Sequence, residues 1–191
     1  MLHQNNEMKT EELNIKALKY GLRVRLVNEN DANKIVQLRT DSTLSRHIPK
    51  TDKNVEKQKQ YIRDYKTREL NGLEYYFAYS NIESAEPIGF YRVHSIDFKN
   101  RTFTIGSWIF ERSVSERIPI IADILSKSFG FVELNLETCY FDVRRNNKKV
   151  LRYHKLFSPI FIREDDEENN FFYLKKEDFN KNSKDILKII D

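Results

Sequence analysis

Glycine, proline and cysteine are scarce in this chain of 191 residues, at five, four and one. So little glycine and proline excludes collagen-like and linker-like character. The lone Cys139 can close no internal disulfide and build no cysteine-ligated zinc site, which points to a reducing, cytoplasmic setting. No apolar run approaches the length of a membrane span, and the start from Met1 to Leu13 lacks the apolar core of a signal peptide. His3, His47, His94 and His154 are too scattered for a metal motif. The expectation is a cytoplasmic protein with no metal and no membrane partner.

What is present is aromatic: thirteen phenylalanines and ten tyrosines, within a hydrophobic share of 39%, exclude disorder throughout. The length suits one domain with a real core. Thirty-three basic against 29 acidic residues leave a net charge of +4, with both signs interspersed. A nucleic-acid binder gathers its Lys and Arg into a stripe. The densest basic run, Arg144 to Lys149, reads instead as a solvated rim, so nucleic acid is not an expected partner.

Residues 1–20 are polar, then weakly helical at Leu13, Ala17 and Leu18, and Gly21 ends that pattern. Leu22 to Val27 alternates with period two and reads as a strand. Short helical spacing follows from Ala32 to Arg39, with Ile35, Val36 and Leu38 inward, and a loop surrounds Ser45 to Pro49. Asn54 to Leu70 forms a long amphipathic helix that Asn71-Gly72 stops. Three strands come in quick succession at Tyr75 to Tyr79, Ile88 to Ile96 and Phe103 to Phe110, an antiparallel meander by spacing. The pattern then predicts a helix from Pro119 to Phe129 capped by Gly130, and a strand from Leu136 to Val143 that buries Cys139. A helix from Asn147 to Phe157 and two short strands at Ile160 to Arg163 and Phe171 to Leu174 precede an amphipathic tail. The order β-α-α-β-β-β-α-β-α-β-β is a mixed α/β plan.

Three segments in this order resemble the GCN5-related N-acetyltransferase (GNAT) superfamily. Leu22 to Ala32 is similar to its first strand and helix start. Pro87 to Arg92 and Phe103 to Phe110 are similar to its third and fourth strands. Val143 to Phe157, with Asn147, resembles its asparagine-plus-helix signature. The most similar branch is the ribosomal-protein-alanine N-acetyltransferase-like group, whose relatives include amino-sugar acetyltransferases. The resemblance implies one GNAT-like domain over residues 21–175, a central, mostly antiparallel twisted sheet flanked by helices, with an extension at 1–20 and a tail at 176–191. It also implies acetyl-CoA as acyl donor and a primary amine as acceptor, on a small molecule such as an amino-sugar nucleotide or on a protein N-terminus. A homodimer is compatible with it.

The family's pyrophosphate loop usually carries glycines, whereas the matching stretch here, Val114 to Pro119, has none. What remains for an anion is the start of the following helix, whose unpaired N–H groups carry partial positive charge. The resemblance therefore implies coenzyme A bound by a rearranged loop around Ser115, Glu116, Arg117 and Ile118. The alternative reading is a catalytically reduced acyl-CoA-binding or interaction module.

Acetyl transfer to an amine needs a deprotonated amine, stabilisation of an oxyanion and a proton for the departing thiolate. The resemblance places the acyl group along Trp108, Ile109 and Phe110, and Asn147 at the cofactor amide or as a helix cap. It puts the proton donor seven residues after the signature asparagine: His154 counted from Asn147, Tyr153 counted from Asn146. Val150, His154 and Phe157 share one helical face, whereas Tyr153 lies about 100° away beside Lys149. Glu111 and His94 are the candidate bases. Residues 41–54 are expected to line the acceptor side.

Overall fold

The computed structural model of the chain describes residues 2–49 and 51–190. Met1, Lys50 and Asp191, which belong to the expected extension, acceptor loop and tail, lie outside the described residues. The elements are α1 (Leu2–Leu18), β1 (Leu22–Leu26), α2 (Ala32–Thr40), α3 (Val55–Leu70), β2 (Tyr75–Asn81), β3 (Pro87–Asp97) and β4 (Thr102–Phe110). They continue with α4 (Arg117–Ser128), β5 (Thr138–Arg144), α5 (Lys148–Lys155), β6 (Ile160–Glu164), β7 (Asn169–Lys175) and α6 (Lys176–Ile190).

The strands make one sheet in the order β1-β2-β3-β4-β5-β7-β6. Every neighbouring pair is antiparallel except β4 and β5, which run parallel. This is the expected mixed α/β domain with a mostly antiparallel sheet. Strand β2 shows why the sheet is covered on both faces. Its alternating side chains Tyr75, Phe77 and Tyr79 enter one core with α1, α4 and α6, while Tyr76 and Ala78 enter a second core with α2 and α3.

Local chemistry sets the boundaries. Asn28 and Asp31 form a reciprocal capping box ahead of α2, and Asn54 caps α3 through the N–H groups of Glu56 and Lys57. Helix α1 begins well before the weak pattern at Leu13, through a polar stretch that propensity alone leaves undecided. Burial of Leu13 and Ala17 against the sheet supplies what the surface of that helix lacks. At the other end of the chain, Phe179 and Ile186 of α6 join the same core.

Gly130 does not cap α4, contrary to expectation. The chain passes Ser128 into a π-helical turn, Phe129–Glu133. A Cβ at Gly130 would overlap the ring of Phe103, so glycine is needed there for close approach and not for a left-handed cap.

Candidate active site

Pairing of β4 with β5 covers only Thr102 to Thr104 against Thr138 to Tyr140, after which the two strands part. The β5-facing edge of β4 from Ile105 onward therefore has no strand partner. A cavity of about 380 Å³ opens in the gap, floored by Trp108, Phe141, Val150 and His154, with Leu44 and His47 on the far wall. Strand β4 also carries a bulge. Its register with β3 steps from Phe90↔Ile109 to Arg92↔Gly106, and the extra residue, Ser107, takes a left-handed φ of 50°. Holding a non-glycine residue there costs roughly 1 kcal/mol or more, which the surrounding sheet must offset.

A second cavity of about 310 Å³ adjoins the first and is lined by Thr51, Asp52, Lys57 and Tyr61. Arg39, Arg92 and Ser107 line both. Their partners differ in kind. Lys57 is 2.6 Å from Asp52, and Arg92 reaches the Tyr61 hydroxyl and Glu74. Arg39 donates to Thr51 Oγ1 at 2.6 Å, Ser107 Oγ at 3.3 Å and the Pro49 carbonyl at 3.5 Å. Among the described residues no carboxylate pairs with Arg39. The junction of the two cavities thus presents a cation held by neutral groups.

Beneath the first cavity lies a closed ionic cluster. Asp123 and Lys127, one turn apart on α4, are both fully buried, with Nζ 2.6 Å from Oδ2. The hydroxyls of Tyr91 and Tyr153 donate to Asp123 at 2.5 Å each, and Lys127 Nζ also lies 3.2 Å from His154 Nδ1. Burial pushes the Tyr91 and Tyr153 hydroxyls well above the usual tyrosine range, and the Asp123 charge adds to it. Burial first, then the Lys127 charge, lowers His154 to about 3, outweighing the opposing pull of Asp123. The ring of His154 lies 4.5 Å from that of Phe141 and 5.7 Å from that of Trp108.

The residues expected from sequence fall into groups. Trp108 lines the cavity, and its indole N–H donates to the Pro119 carbonyl at 3.0 Å, tying β4 to the first turn of α4. Ile109 and Phe110 point into the two cores on opposite faces of the sheet. Ser115 and Glu116 sit in the turn before α4, and Arg117 and Ile118 begin that helix, two residues earlier than Pro119 suggested. Glu116 pairs with Lys149 of α5, bridging the two helix starts. Asn147 caps α5 through the Val150 N–H and lines the cavity as well. His154 is in the cavity wall. Tyr153, about 100° around the helix, is buried too, because α5 packs into a corner: Tyr153 meets Asp123 of α4 and Trp108 of β4, and His154 meets Phe141 of β5. Glu111 lies outside the lining residues, paired with Lys34 and accepting from Ser113. His94 lines the cavity, and burial, with the Arg92 charge, lowers it to about 4.

Asp123 and Lys127 were not singled out from sequence, because an Asp and a Lys four apart look like an ordinary surface pair. A signal existed: the run Ile118 to Leu125 is apolar almost all round, and such a helix is buried together with any charge it carries. Arg39 and Arg92 had no local signal, whereas His47 falls in the segment 41–54 expected on the acceptor side.

Comparison with known proteins agrees with this geometry. Residues 22–155 match the acetyltransferase (GNAT) domain family. Among solved structures, apo FdhC, a nucleotide-linked sugar GNAT, is 32% identical, with 90% of this chain and 96% of that one covered and a TM-score of 0.78. The ribosomal-protein-S5-alanine acetyltransferase from Vibrio fischeri is 17% identical, covering 83% and 95%, with a TM-score of 0.71. Spermidine N-acetyltransferase from Vibrio cholerae, in complex with CoA and spermine, is 13% identical, covering 84% and 99%, with a TM-score of 0.70. The last two share the fold. A search of curated proteins finds no match. The chain belongs to the GNAT family and is an acetyltransferase. No helix among the described residues is long and apolar enough to cross a membrane.

Proposed function

We propose that the chain transfers the acetyl group of acetyl-CoA to the amine of an amino sugar linked to a nucleoside diphosphate. The observation that carries the acceptor class is Arg39, a cation without a carboxylate partner among the described residues, at the junction of the two cavities. Beside it the acceptor cavity is lined by Lys57, which engages Asp52, and Arg92, which reaches Glu74 behind the lining. Such a surface attracts a diphosphate through charge-assisted hydrogen bonds and repels a polyamine. The 32% identical nucleotide-linked sugar GNAT supports the same class.

The residues present suit acetyl-CoA: the gap between β4 and β5 has apolar walls for an acyl arm and an unpartnered strand edge. Bound there, acetyl-CoA supplies a thioester carbonyl open to attack by an amine. Arg39 and Arg92 hold the acceptor's charged end, which fixes its amine relative to β4. Trp108, Phe141 and Val150 exclude water from the gap. His94, kept neutral at pH 7 by burial and the Arg92 charge, accepts a hydrogen bond from the acceptor amine, which gives its proton to water, while Glu111, paired with Lys34, keeps to the loop before α4. Asn147 orients the start of α5, and the α4 start at residues 115–118 turns its positive dipole end toward phosphate, the Ile118 N–H itself being held by the Ser115 carbonyl. His154 faces the gap as a hydrogen-bond donor, in preference to Tyr153, whose proton is committed to Asp123.

The test follows free-thiol release from acetyl-CoA with four acceptors: a nucleoside-diphosphate-linked amino sugar, the unlinked amino sugar, spermidine and an alanyl peptide. The linked sugar should turn over fastest. Arg39→Met should lower kcat/KM for it by about 10- to 100-fold while leaving the KM of acetyl-CoA unchanged, the loss of one charge-assisted contact. Equal use of spermidine overturns the acceptor class. Calorimetric binding of acetyl-CoA without turnover on any amine indicates the binding module instead.

A further inference from the structure

The buried charges on α4 lie behind the reaction gap and bond two residues that line it, Tyr91, whose proton is given to Asp123, and His154. We infer that Lys127, anchored by Asp123, is a positioning residue for His154: it holds the ring so that Nδ1 accepts, the proton resides on Nε2, and a neutral N–H donor faces the gap.

The hydrogen-bond inventory forces the assignment. An ammonium has three donors and no acceptor, so at 3.2 Å from Nδ1 it can only donate. A nitrogen that accepts carries no proton, which leaves the proton of a neutral imidazole on Nε2. The other two donors of Lys127 are directed to Asp123 Oδ2 and toward the face of Phe157, 4.7 Å from its centroid. Asp123 in turn accepts from Lys127, Tyr91 and Tyr153. Every polar group in the cluster is thus satisfied by another member, and Nε2 of His154 is the one that can serve something outside it. The aromatic rings of Phe141 and Trp108 fix the plane of the imidazole.

A purely structural reading explains the pair less well. A buried ion pair adds little stability over well-packed apolar residues of the same volume. What apolar residues cannot do is select a tautomer. A neutral donor held in a dry site suits charge that develops on oxygen or sulfur during acyl transfer, since it needs no reorganisation at that moment. The use of that donor rests on the acetyltransferase reading, whereas the tautomer does not.

The experiment uses the full chain with ¹⁵N-labelled histidine and long-range ¹H–¹⁵N correlation, with His154→Gln to assign the His154 ring. In the wild type the proton should sit on Nε2 alone from pH 6 to pH 8, on the order of the window in which free histidine titrates. Lys127→Met should release the ring into a tautomer mixture and lower kcat for the linked amino sugar about 100-fold, the scale of one lost oxyanion donor. Lys127→Arg should keep the Nε2 proton and restore most of kcat. The double variant Asp123→Asn/Lys127→Met removes both charges, so it serves if the single variant fails to fold, and it should behave as Lys127→Met does.

A wild-type proton on Nδ1, or a His154 spectrum unchanged in both Lys127→Met and the double variant, overturns the positioning role. A changed tautomer with unchanged kcat overturns its catalytic use. Failure of the acetyltransferase reading appears separately, as a wild type without turnover whose His154 still carries its proton on Nε2.

Discussion

His154 should make the protein lose stability in mild acid by a calculable amount. The ring is buried, and protonating it would place a second cation 3.2 Å from Lys127 Nζ with no water to screen the two. Its folded value of about 3 lies below the unfolded value of about 6.5. Between those values the unfolded chain binds a proton that the folded chain refuses, so the stabilising contribution is full above pH 6.5 and is lost as pH falls toward 3. Each pH unit in that interval is worth roughly 1.4 kcal/mol, so the descent from pH 7.5 to 4.5 removes about 2 to 3 kcal/mol. Because pH 4.5 lies above the folded value, the unfolded pKa sets most of this loss. The assay is urea unfolding followed by the fluorescence of Trp108, the sole tryptophan, at several pH values. Carboxylates and the other histidines titrate over the same range, so the quantity to read is the difference between wild type and His154→Gln. Wild type should lose about 2 to 3 kcal/mol more than the variant. Parallel stability curves for the two would refute the picture of a histidine kept neutral by burial and by Lys127.

Gly89→Ala should cost about 1 to 3 kcal/mol, lowering the urea midpoint, because the new Cβ would overlap the ring of Phe110 directly across the β3–β4 pair. Cys139 is fully buried, and burial pushes its thiol well above the usual range. Native protein should therefore react with Ellman's reagent only as fast as it unfolds, and rapid stoichiometric labelling would contradict that burial.

Much of the fold was legible because it rests on short-range chemistry. The alternation in Leu22 to Val27, the amphipathic spacing from Asn54 to Leu70 and the punctuation at Asn71-Gly72 each act within a few residues, and each element appears close to where these signals put it. Gly130 shows the limit. Its role depends on the Phe103 ring, which reaches it only once β4 and the turn after α4 have packed. Tyr153 shows the same limit from another side. A helical wheel supplies one buried face, but α5 lies in a corner and buries two.

Sequence by itself determined the class of architecture, the exclusion of an internal disulfide, and the segments from which the reaction gap is built, because periodicity, capping and composition are local properties. Tertiary structure alone decided which charges face each other. Asp123 and Lys127 read as a surface pair until α4 is laid under β3 and β4. Arg39 reads as one basic residue among many until the fold brings it to Ser107 and Thr51, with no carboxylate partner among the described residues. Electrostatic roles depend on burial and on partners from 12 to 68 positions away along the chain, and no local pattern records them.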